Sequence, residues 1–463
     1  MDQIVARNVR PAEPGVLAEP GRVGLLDALV TWGKVSIAGI GGSGLQLASM
    51  YRLLVEERKW ISDSRFFNAF GYCIALPGPE TQQLAVYIGW LTNRLSGGAI
   101  AGGLFILPGI ICMMALSFGY VTGADSQVGQ AIFLGVRPAI LAIMVEALLR
   151  FGRHVLHNKW MTAVAFFSFA AALVKIPFPL IVGAAALLGA AGGMARRPAF
   201  TRGDAAGNPS DNQEPPLPEH TRPTIRRVMG SAVLWLGVWL APLIGLFLVL
   251  GPDNIYTQIS FVFSKVALLA IGGDYAVVAY GAQPVVESFH WLSSREVQEG
   301  VAMGEMVPGT IMIVTQFFGF VAAYRDPGQL PPLAAGVVGG LLATWMTLVP
   351  CFLYVLLAAP FIEGLRRNPV LSSTLTAVTA GAVGMILYLS VWFGVRTVFH
   401  EVETVSLGSF GIDLPIWQSV DVWAILIFLG AAIAALRFRV GTLTILLASA
   451  AAGFVLVMLG FAS

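Results

Sequence analysis

Long apolar runs alternate with short polar segments along most of the chain. Several runs reach the ~20 residues that an α-helix needs to cross a bilayer. These runs are Ser96–Tyr120, Gln130–Leu149, Val228–Leu250, Leu333–Ala359, Leu371–Phe393 and Gly441–Phe461. The pattern predicts a helical membrane protein that crosses the bilayer several times.

Composition supports a membrane environment. Of the 463 residues, 56% are hydrophobic and 12% are charged, whereas soluble domains carry about 25% charged residues. The first 25 residues are polar and rich in proline. They lack the apolar core of a signal peptide, so we expect no cleaved leader. The predicted fold class is an all-α polytopic membrane protein.

The chain contains an internal repeat. Lys34–Gly42 (KVSIAGIGG) aligns with Lys265–Gly273 (KVALLAIGG), and the offset of 231 residues also pairs Pro77-Gly78 with Pro308-Gly309. Further along, the offset becomes 242, which pairs Pro108 with Pro350. Two homologous halves are therefore predicted.

The halves are separated by a polar segment. The predicted divisions are a tail at 1–23, an N-terminal repeat at 24–195, a linker at 196–227 and a C-terminal repeat at 228–463. The linker is rich in Pro, Asp and Asn, which is typical of a disordered segment. It also carries several arginines, and basic loops favour the cytoplasmic side.

Basic residues in one half match non-basic residues at the equivalent positions of the other half. The segment 52–65 holds Arg52, Arg58, Lys59 and Arg65, but its counterpart around His290 is much less basic. Most of the 28 basic residues fall on the cytoplasmic side in the resulting arrangement. Those expected outside are Lys175, Arg295, Arg325 and Arg396. Matched loops then face opposite sides, which predicts inverted-topology repeats with about 10–13 membrane segments and a cytoplasmic N-terminus.

The segment ALPGPETQQ, at positions 75–83, interrupts an apolar region. Proline lacks an amide hydrogen and disfavours helix at the residue before it, so we predict that a half-helix begins at Glu80. The second repeat has a similar break at Val307-Pro308-Gly309-Thr310, just after Glu305. Broken helices survive in a membrane only inside protein or beside a watery cavity, and helix starts attract anions. A simple proline kink is the alternative.

Three cations lie in apolar surroundings, namely Lys34, Lys265 and Arg137. An intramembrane cation is costly and indicates a function by default. The two lysines are related by the repeat, so each is expected to approach a central cavity. Alternatively, the cations extend to lipid headgroups or neutralise a buried carboxylate such as Glu146. The Gly41-Gly42 and Gly272-Gly273 pairs are either close-packing points or loops that touch a ligand.

These features define a set of candidate residues. The candidate substrate-binding residues are Lys34, Gly41, Gly42, Pro77, Gly78, Gln82, Gln83, Arg137, Lys265, Gly272, Gly273, Pro308, Gly309 and Thr310. Glu80 and Glu305 are the candidate coupling carboxylates, because each can load a proton when an anion leaves.

Several classes of function lack their motifs. Cys73, Cys112 and Cys351 are far apart, and the five histidines form no metal-ligand spacing. No Walker A sequence is present. We therefore expect no metal, no cofactor, no nucleic-acid partner and no enzymatic activity, and a membrane redox enzyme is disfavoured.

Specific stretches resemble a known family. "LPGPETQQLAVYIGWL" and "LGVRPAILAIM" resemble the N-terminal half of the chromate ion transporters (ChrA, CHR superfamily), in the two-domain, long-chain form. "KVALLAIGGDYAVV" and "MGEMVPGTIMIVTQFFGFVA" resemble the C-terminal half. The resemblance implies a secondary transporter in the bacterial inner membrane that exports chromate and confers resistance. Family members often read P-G-P in the second half, where this chain has Thr310, so the two half-sites need not bind equally.

The implied substrate is a tetrahedral dianion. An inside-negative potential favours its exit by about 4.6 kcal/mol per 100 mV, so export can run on the potential alone. Arg137 is the strongest candidate cation, because a guanidinium forks onto oxyanions. Sulfate has nearly the same shape and charge, so a sulfate or molybdate carrier remains an alternative, as does an oxyanion channel. Membrane lipids are expected partners, and a homodimer is left open.

Overall fold

The computed structural model describes most of the chain. The described residues are 23–37, 43–73, 76–123, 126–174, 176, 178–195, 221, 224–269, 274–361, 369–399, 401–407 and 410–461. Nearly all of the predicted tail 1–23 and most of the predicted linker 196–227 lie outside these ranges, as do the two Gly-Gly pairs.

Helices make up nearly all of the described structure. They are α1 (Leu25–Ile37), α2 (Ser43–Tyr51), α3 (Asp63–Cys73), α4 (Glu80–Gly123), α5 (Gln127–Val155), α6 (Lys159–Leu173), α7 (Phe178–Met194), α8 (Ile225–Leu250), α9 (Ile255–Leu269), α10 (Asp274–Gln283), α11 (Ser294–Met306), α12 (Val314–Arg325), α13 (Pro332–Ala358), α14 (Pro369–Val398), α15 (Val422–Leu436) and α16 (Thr442–Met458). Arg52–Glu57 and Pro284–Ser288 form π-helical turns, and Ile311–Ile313, Ala359–Phe361 and Trp417–Ser419 form 3-10 turns. Strands β1 (Val402–Leu407) and β2 (Phe410–Pro415) pair antiparallel between α14 and α15.

The long apolar helices confirm a polytopic membrane protein. Within the described residues, five helical segments are long and apolar enough to cross a membrane: 80–123, 127–149, 225–250, 332–361 and 373–398. Each predicted apolar run falls within one helix or extends beyond one by a few residues. The β1–β2 hairpin is a departure from the all-α prediction, confined to the connection between two helices.

Helix α4 has 44 residues and would extend about 66 Å if straight, twice the ~30 Å of a bilayer core. It instead folds back at Asn93 and Arg94, where Arg94 adopts φ +60° and ψ −152°. Gly89 and Gly97 bring the two arms so close that a Cβ on either glycine would clash with backbone of the other. The second repeat builds the same hairpin from α12 and α13, where Gly319 lies against Gly339.

The repeat is visible in the backbone. Lys59 and His290, related by the offset of 231, adopt φ values of 52° and 54° just after the two π-helical turns. Gly78 and Gly309 share the same offset, with φ values of 110° and 120°. Independent segments of sequence therefore fold into matching local structures.

The long helices of the two repeats run in opposite directions. Gly102 of α4 packs against the ring of Phe352 on α13, and Phe352 is the counterpart of Ile110 (352 − 242 = 110). In the other direction, Gln316 donates to the carbonyl of Ile110 at 2.9 Å and accepts from Thr344 at 3.1 Å. Thr344 is the counterpart of Gly102 (344 − 242 = 102). Because early residues of one helix meet late residues of the other, the two helices are antiparallel and the repeats are inverted.

The repeats exchange their terminal helix pairs. Helices α6 and α7 pack on α14 of the second repeat, whereas α15 and α16 pack on α5 of the first repeat. Matching glycines make these contacts: a Cβ on Gly189 would lie 2.6 Å from the carbonyl oxygen of Ser373, and one on Gly453 would lie 2.6 Å from that of Ala131. Ser373 and Ala131 are themselves counterparts (373 − 131 = 242). The two repeats are therefore intertwined rather than side by side.

Helix α8 precedes the part of the second repeat that matches the first. Helix α1 is the first described helix of the N-terminal repeat, and its counterpart is α9, not α8. Helix α8 is long and apolar enough to cross the membrane, so it can carry the chain to the opposite side before the second repeat begins. This helix therefore allows two similar sequences to insert in opposite orientations.

The exchanged packing can be tested at Gly453. We expect Gly453→Ala to lower the thermal unfolding temperature of the detergent-purified protein, because the added methyl meets rigid backbone at Ala131 and Gly135. Overpacking of this kind costs about 1–3 kcal/mol. Gly430→Ala is the matched control, since Gly430 also lies in a helix but has open space around its Cβ position. Equal unfolding temperatures for the two variants would contradict the exchanged arrangement.

Candidate functional site

The first helix break lies between α3 and α4. Leu76–Pro79 is not helical, and α4 begins at Glu80 as the sequence predicted. The side-chain Nε2 of Gln83 donates to the carbonyl of Pro77 at 2.5 Å, and its backbone N–H donates to the carbonyl of Pro79. The left-handed φ of Gly78 allows the sharp turn between the two prolines. A side chain and a glycine therefore stabilise this irregular backbone within the protein.

The second break follows α11. Helix α11 ends at Met306, and a 3-10 turn begins at Ile311. Thr310 caps this turn: its side-chain oxygen accepts from the backbone N–H of Met312 at 3.1 Å. Thr310 is thus engaged in capping at the position that Pro79 occupies in the first repeat (310 − 231 = 79).

Each break packs against the long helix of the other repeat. A Cβ added to Gly78 would lie 2.6 Å from the Sγ atom of Cys351 on α13. A Cβ added to Gly109 on α4 would lie similarly close to the carbonyl oxygen of Pro308. Cys351 is the counterpart of Gly109 (351 − 109 = 242). The repeat therefore relates the two contacts: in each, a break of one repeat packs against the equivalent position on the long helix of the other.

Polar atoms without partners cluster in the first turn of α4. Gln82 is fully buried, yet neither its Nε2 nor its Oε1 has a hydrogen-bond partner. The hydroxyl of buried Thr81 and the Oε1 of buried Gln83 also lack partners. As at every helix start, the backbone N–H groups of Thr81 and Gln82 have no helical carbonyl one turn earlier to bond. Each unpaired buried group costs about 1–3 kcal/mol, so this turn is suited to a polar ligand.

Gln46 joins the two repeats at the second break. With its amide oriented to satisfy both contacts, this buried residue of α2 donates to the carbonyl of Gly309 at 3.2 Å and accepts from its N–H at 2.7 Å. The Gly309 N–H is thus engaged by a side chain of the first repeat. Sequence reasoning missed Gln46, although a lone amide in the apolar stretch GLQLASM was an available signal.

The candidate carboxylates flank the breaks. Glu80 is half-buried at the start of α4, directly after the first break, and Glu305 is buried in the last turn of α11, directly before the second. Their positions are not equivalent in the repeat, because the counterpart of Glu80 is Ile311 (80 + 231 = 311).

Arg137 lies in an ion-pair cluster between the repeats. Its Nε and Nη2 atoms donate to Oε1 of Glu299 on α11, at 3.0 and 2.5 Å. Arg295 also donates to this oxygen at 3.1 Å, and the hydroxyl of Tyr120 donates to Oε2 at 2.5 Å. The sequence offered Glu146 as an example of a carboxylate partner, whereas this pair forms with Glu299. Sequence reasoning missed Glu299 because it is 162 residues from Arg137.

The repeat-related lysines lie on exposed helix faces. Lys34 shares its face of α1 with exposed Val30 and Ile37. Lys265 lies between exposed Phe261 and Leu268 on α9, with its Nζ 4.3 Å from the centre of the Phe261 ring. The buried faces of both helices point the other way. The structure therefore does not bring these lysines to the buried breaks, contrary to the expected approach to a central cavity.

The remaining candidates divide into two groups. The structure gathers the break residues around the packed α4 and α13 helices; these are Pro77, Gly78, Gln82, Gln83, Pro308, Gly309 and Thr310. Gly41, Gly42, Gly272 and Gly273 lie outside the described residues, so their roles stay predictions. Among the residues described, no group of three His, Cys, Asp or Glu side chains is placed to hold a metal ion.

Comparisons with known proteins agree with the resemblance in the repeats. The Chromate transporter family model matches residues 26–190 and 257–454, leaving α8 and the linker outside. A probable chromate transport protein of Synechococcus elongatus is 26% identical over 380 residues, covering 81% of this chain and 86% of the relative. Chromate transport proteins of Pseudomonas aeruginosa and Cupriavidus metallidurans are each 26% identical and each cover 76% of this chain, with 77% and 78% of the relatives covered. No solved structure matches the chain significantly.

Proposed function

Because this chain belongs to the chromate transporter family, we propose that it is a secondary transporter that exports chromate from the bacterial cytoplasm and confers chromate resistance. Its long apolar helices make it a multi-pass membrane protein. Exposed apolar side chains such as Leu248 and Val249 on α8 suit contact with membrane lipids.

The first turn of α4 supports a substrate site at the first break. Gln82 is fully buried with both amide atoms unpaired, and the unpaired hydroxyl of Thr81 is adjacent. The amide Nε2 of Gln82, the hydroxyl of Thr81 and the backbone N–H groups of these two residues can all donate to an oxyanion. The positive end of the helix dipole adds favourable potential at the same place. We propose that a chromate ion supplies the acceptors that these donors lack.

At the second break, a side chain of the protein itself occupies the place that a ligand would take. The Gly309 N–H is held by Gln46, so an anion would reach it only after Gln46 moved away. Thr310 is likewise engaged with Met312. We propose that the first break binds substrate in the described state and that the second does so only after the repeats rearrange.

Charge distribution supports the direction of transport. The arginine-rich linker favours the cytoplasm. We propose on this basis that the N-terminus is cytoplasmic and that the protein lies in the inner membrane. An inside-negative potential then favours exit of a dianion. Proton loading by Glu80 or Glu305 as the anion leaves provides a second driving force, since both carboxylates flank the breaks.

A sulfate or molybdate-type carrier is the alternative. The proposed donors are neutral amide, hydroxyl and backbone groups, and such donors do not distinguish two tetrahedral dianions of similar size. Sulfate should therefore compete with chromate for the site. The reciprocal contacts of the inverted repeats favour alternating access over an oxyanion channel.

The proposed site can be tested with Gln82→Leu. This variant keeps the side-chain volume and removes both unpaired atoms, so we expect chromate binding to weaken by roughly 1–3 kcal/mol while thermal stability is equal or higher. Gln83→Leu is the matched control, because its Nε2 bonds Pro77 and its loss should lower stability. Both quantities are measurable on detergent-purified protein by radiolabelled chromate binding and thermal unfolding. Wild-type affinity in Gln82→Leu would rule out this residue as a ligand.

The lysines provide a separate test. Since Lys34 and Lys265 lie on exposed apolar faces, we expect Lys34→Met and Lys265→Met to bind chromate as the wild type does. Their charges instead serve to reach lipid headgroups. Equilibrium binding on the folded fraction of each variant measures this. Chromate binding that is weaker by roughly 1–3 kcal/mol in both variants would indicate that the two lysines belong to the binding site.

Coupling is tested with Glu80→Gln. This substitution retains the shape of the side chain and removes the titratable group. We expect it to abolish the dependence of transport on a proton gradient while leaving chromate binding intact. Chromate flux into proteoliposomes, measured with and without a pH gradient, reports the change, and Glu403→Gln at an exposed position of β1 is the control. A Glu80→Gln protein with unchanged pH dependence would exclude Glu80 as the coupling group.

A further inference from the structure

One buried carboxylate is held by three donors from three helices. Glu299 of α11 accepts from Tyr120 on α4, from Arg137 on α5 and from Arg295 on its own helix. We call these four residues the Glu299 cluster. The carboxyl side chain is 4% exposed, whereas that of Arg137 is 17% exposed and that of Arg295 is 55% exposed. Two guanidinium groups against one carboxylate leave the cluster with a net positive charge.

The charged residues of the Glu299 cluster differ from the residues at the equivalent positions of the other repeat. The counterpart of Glu299 is Asn68 (299 − 231 = 68), that of Arg295 is Ser64 (295 − 231 = 64), and that of Arg137 is Thr379 (137 + 242 = 379). All three counterparts are uncharged. Inverted repeats build similar walls towards the two sides of a membrane, so these charges distinguish two positions that the repeat otherwise makes equivalent.

The cluster lies between the protein surface and a helix break. Helix α11 begins beside exposed Ser293 and ends at the second break. Glu299 precedes Val307 by eight residues, or about 12 Å along a helix. The ring of Tyr120 packs edge-on against buried Phe317, with centroids 4.9 Å apart, and against Phe133 at 5.7 Å. The ion pair and these aromatic rings together join α4 and α5 of one repeat to α11 and α12 of the other.

We propose that the Glu299 cluster is a gate in which Glu299 occupies an oxyanion site and must be displaced by the transported anion. This inference rests on the proposed function and adds a gate to it. Two guanidinium groups and a phenol hydroxyl are the donors that a tetrahedral oxyanion needs. In the described state the carboxylate of Glu299 satisfies them and thereby holds the two repeats together. Under the proposed orientation Arg295 faces outwards, so the gate closes the external mouth until chromate arrives from the cytoplasmic side.

Competition between Glu299 and substrate makes two variants behave oppositely. Glu299→Gln removes the internal anion and leaves the arginines free, so we expect chromate to bind about tenfold more tightly. Arg137→Gln removes a donor, so we expect chromate to bind about tenfold more weakly. These changes correspond to one charged hydrogen bond. Equilibrium binding of radiolabelled chromate to the folded, monodisperse fraction of the purified protein measures both.

Two further variants control for folding and for net charge. Tyr120→Phe removes a donor that Glu299 and chromate would share, so it should fold and change chromate binding less than either charge variant. Glu296→Gln changes net charge by the same amount as Glu299→Gln and lies on the same helix, but Glu296 pairs with Arg325 within its own repeat. We expect this control to bind as the wild type does. Equal tightening in Glu296→Gln and Glu299→Gln would overturn the gate, as would weakening in both Glu299→Gln and Arg137→Gln.

A measurement without ligand tests the gate separately from the substrate. Ala302 is fully buried on α11 between Glu299 and the second break. The reporter variant is Ala302→Cys in a background with exposed Cys112 replaced by alanine. We expect its reaction with a hydrophilic thiol reagent to be at least about tenfold faster when Glu299→Gln is also present. The parent without Ala302→Cys gives the background labelling to subtract. Unchanged reactivity would refute the gate even if chromate binds. Absence of chromate binding by the wild type, with faster labelling in Glu299→Gln, would refute the proposed substrate while retaining the gate.

Discussion

Backbone hydrogen bonding in a low-dielectric environment is the constraint on which this structure depends. Water is absent from the membrane core, so any backbone that is not helical must find its partners inside the protein. The two proline breaks meet this demand through amide side chains: Gln83 bonds Pro77, and Gln46 bonds Gly309. The long helix of the opposite repeat covers each break. Each repeat therefore stabilises the irregular backbone of the other, and neither break is compatible with an isolated half.

Intertwining limits the motions available to a transporter of this kind. Because α6 and α7 pack on α14, and α15 and α16 on α5, one repeat cannot move as a rigid body away from the other. Rearrangement must instead occur at polar contacts, such as the ion pair at Glu299. Polar contacts can exchange one partner for another at modest cost, whereas close-packed apolar contacts cannot.

Sequence reasoning predicted features that depend on local chemistry or on repetition. The start of α4 at Glu80 follows from Pro77 and Pro79, and the matched breaks follow from the repeated Pro-Gly pair. The direction of the lysines could not be predicted in this way. Apolar residues occur on both faces of α1 and α9, and the buried faces also carry hydroxyl residues such as Ser36 and Ser264, so hydrophobic periodicity does not reveal which face meets lipid and which meets protein. Gln46 and Glu299 were missed because their partners lie in the other repeat, and pairings at such sequence separation depend on tertiary packing alone.

The additional helix α8 has a consequence for biosynthesis. A protein built from two unlinked copies of one repeat would need to insert half of its chains upside down and then find partners of the opposite orientation. In this chain α8 fixes the opposite orientation of the second repeat within a single polypeptide, at a strict one-to-one ratio. Since each repeat completes its core only with the helix pair of the other, correct folding of the first repeat has to await synthesis of α15 and α16. The newly made N-terminal half must therefore remain in the membrane with part of α5 unpaired until the last helices of the chain arrive.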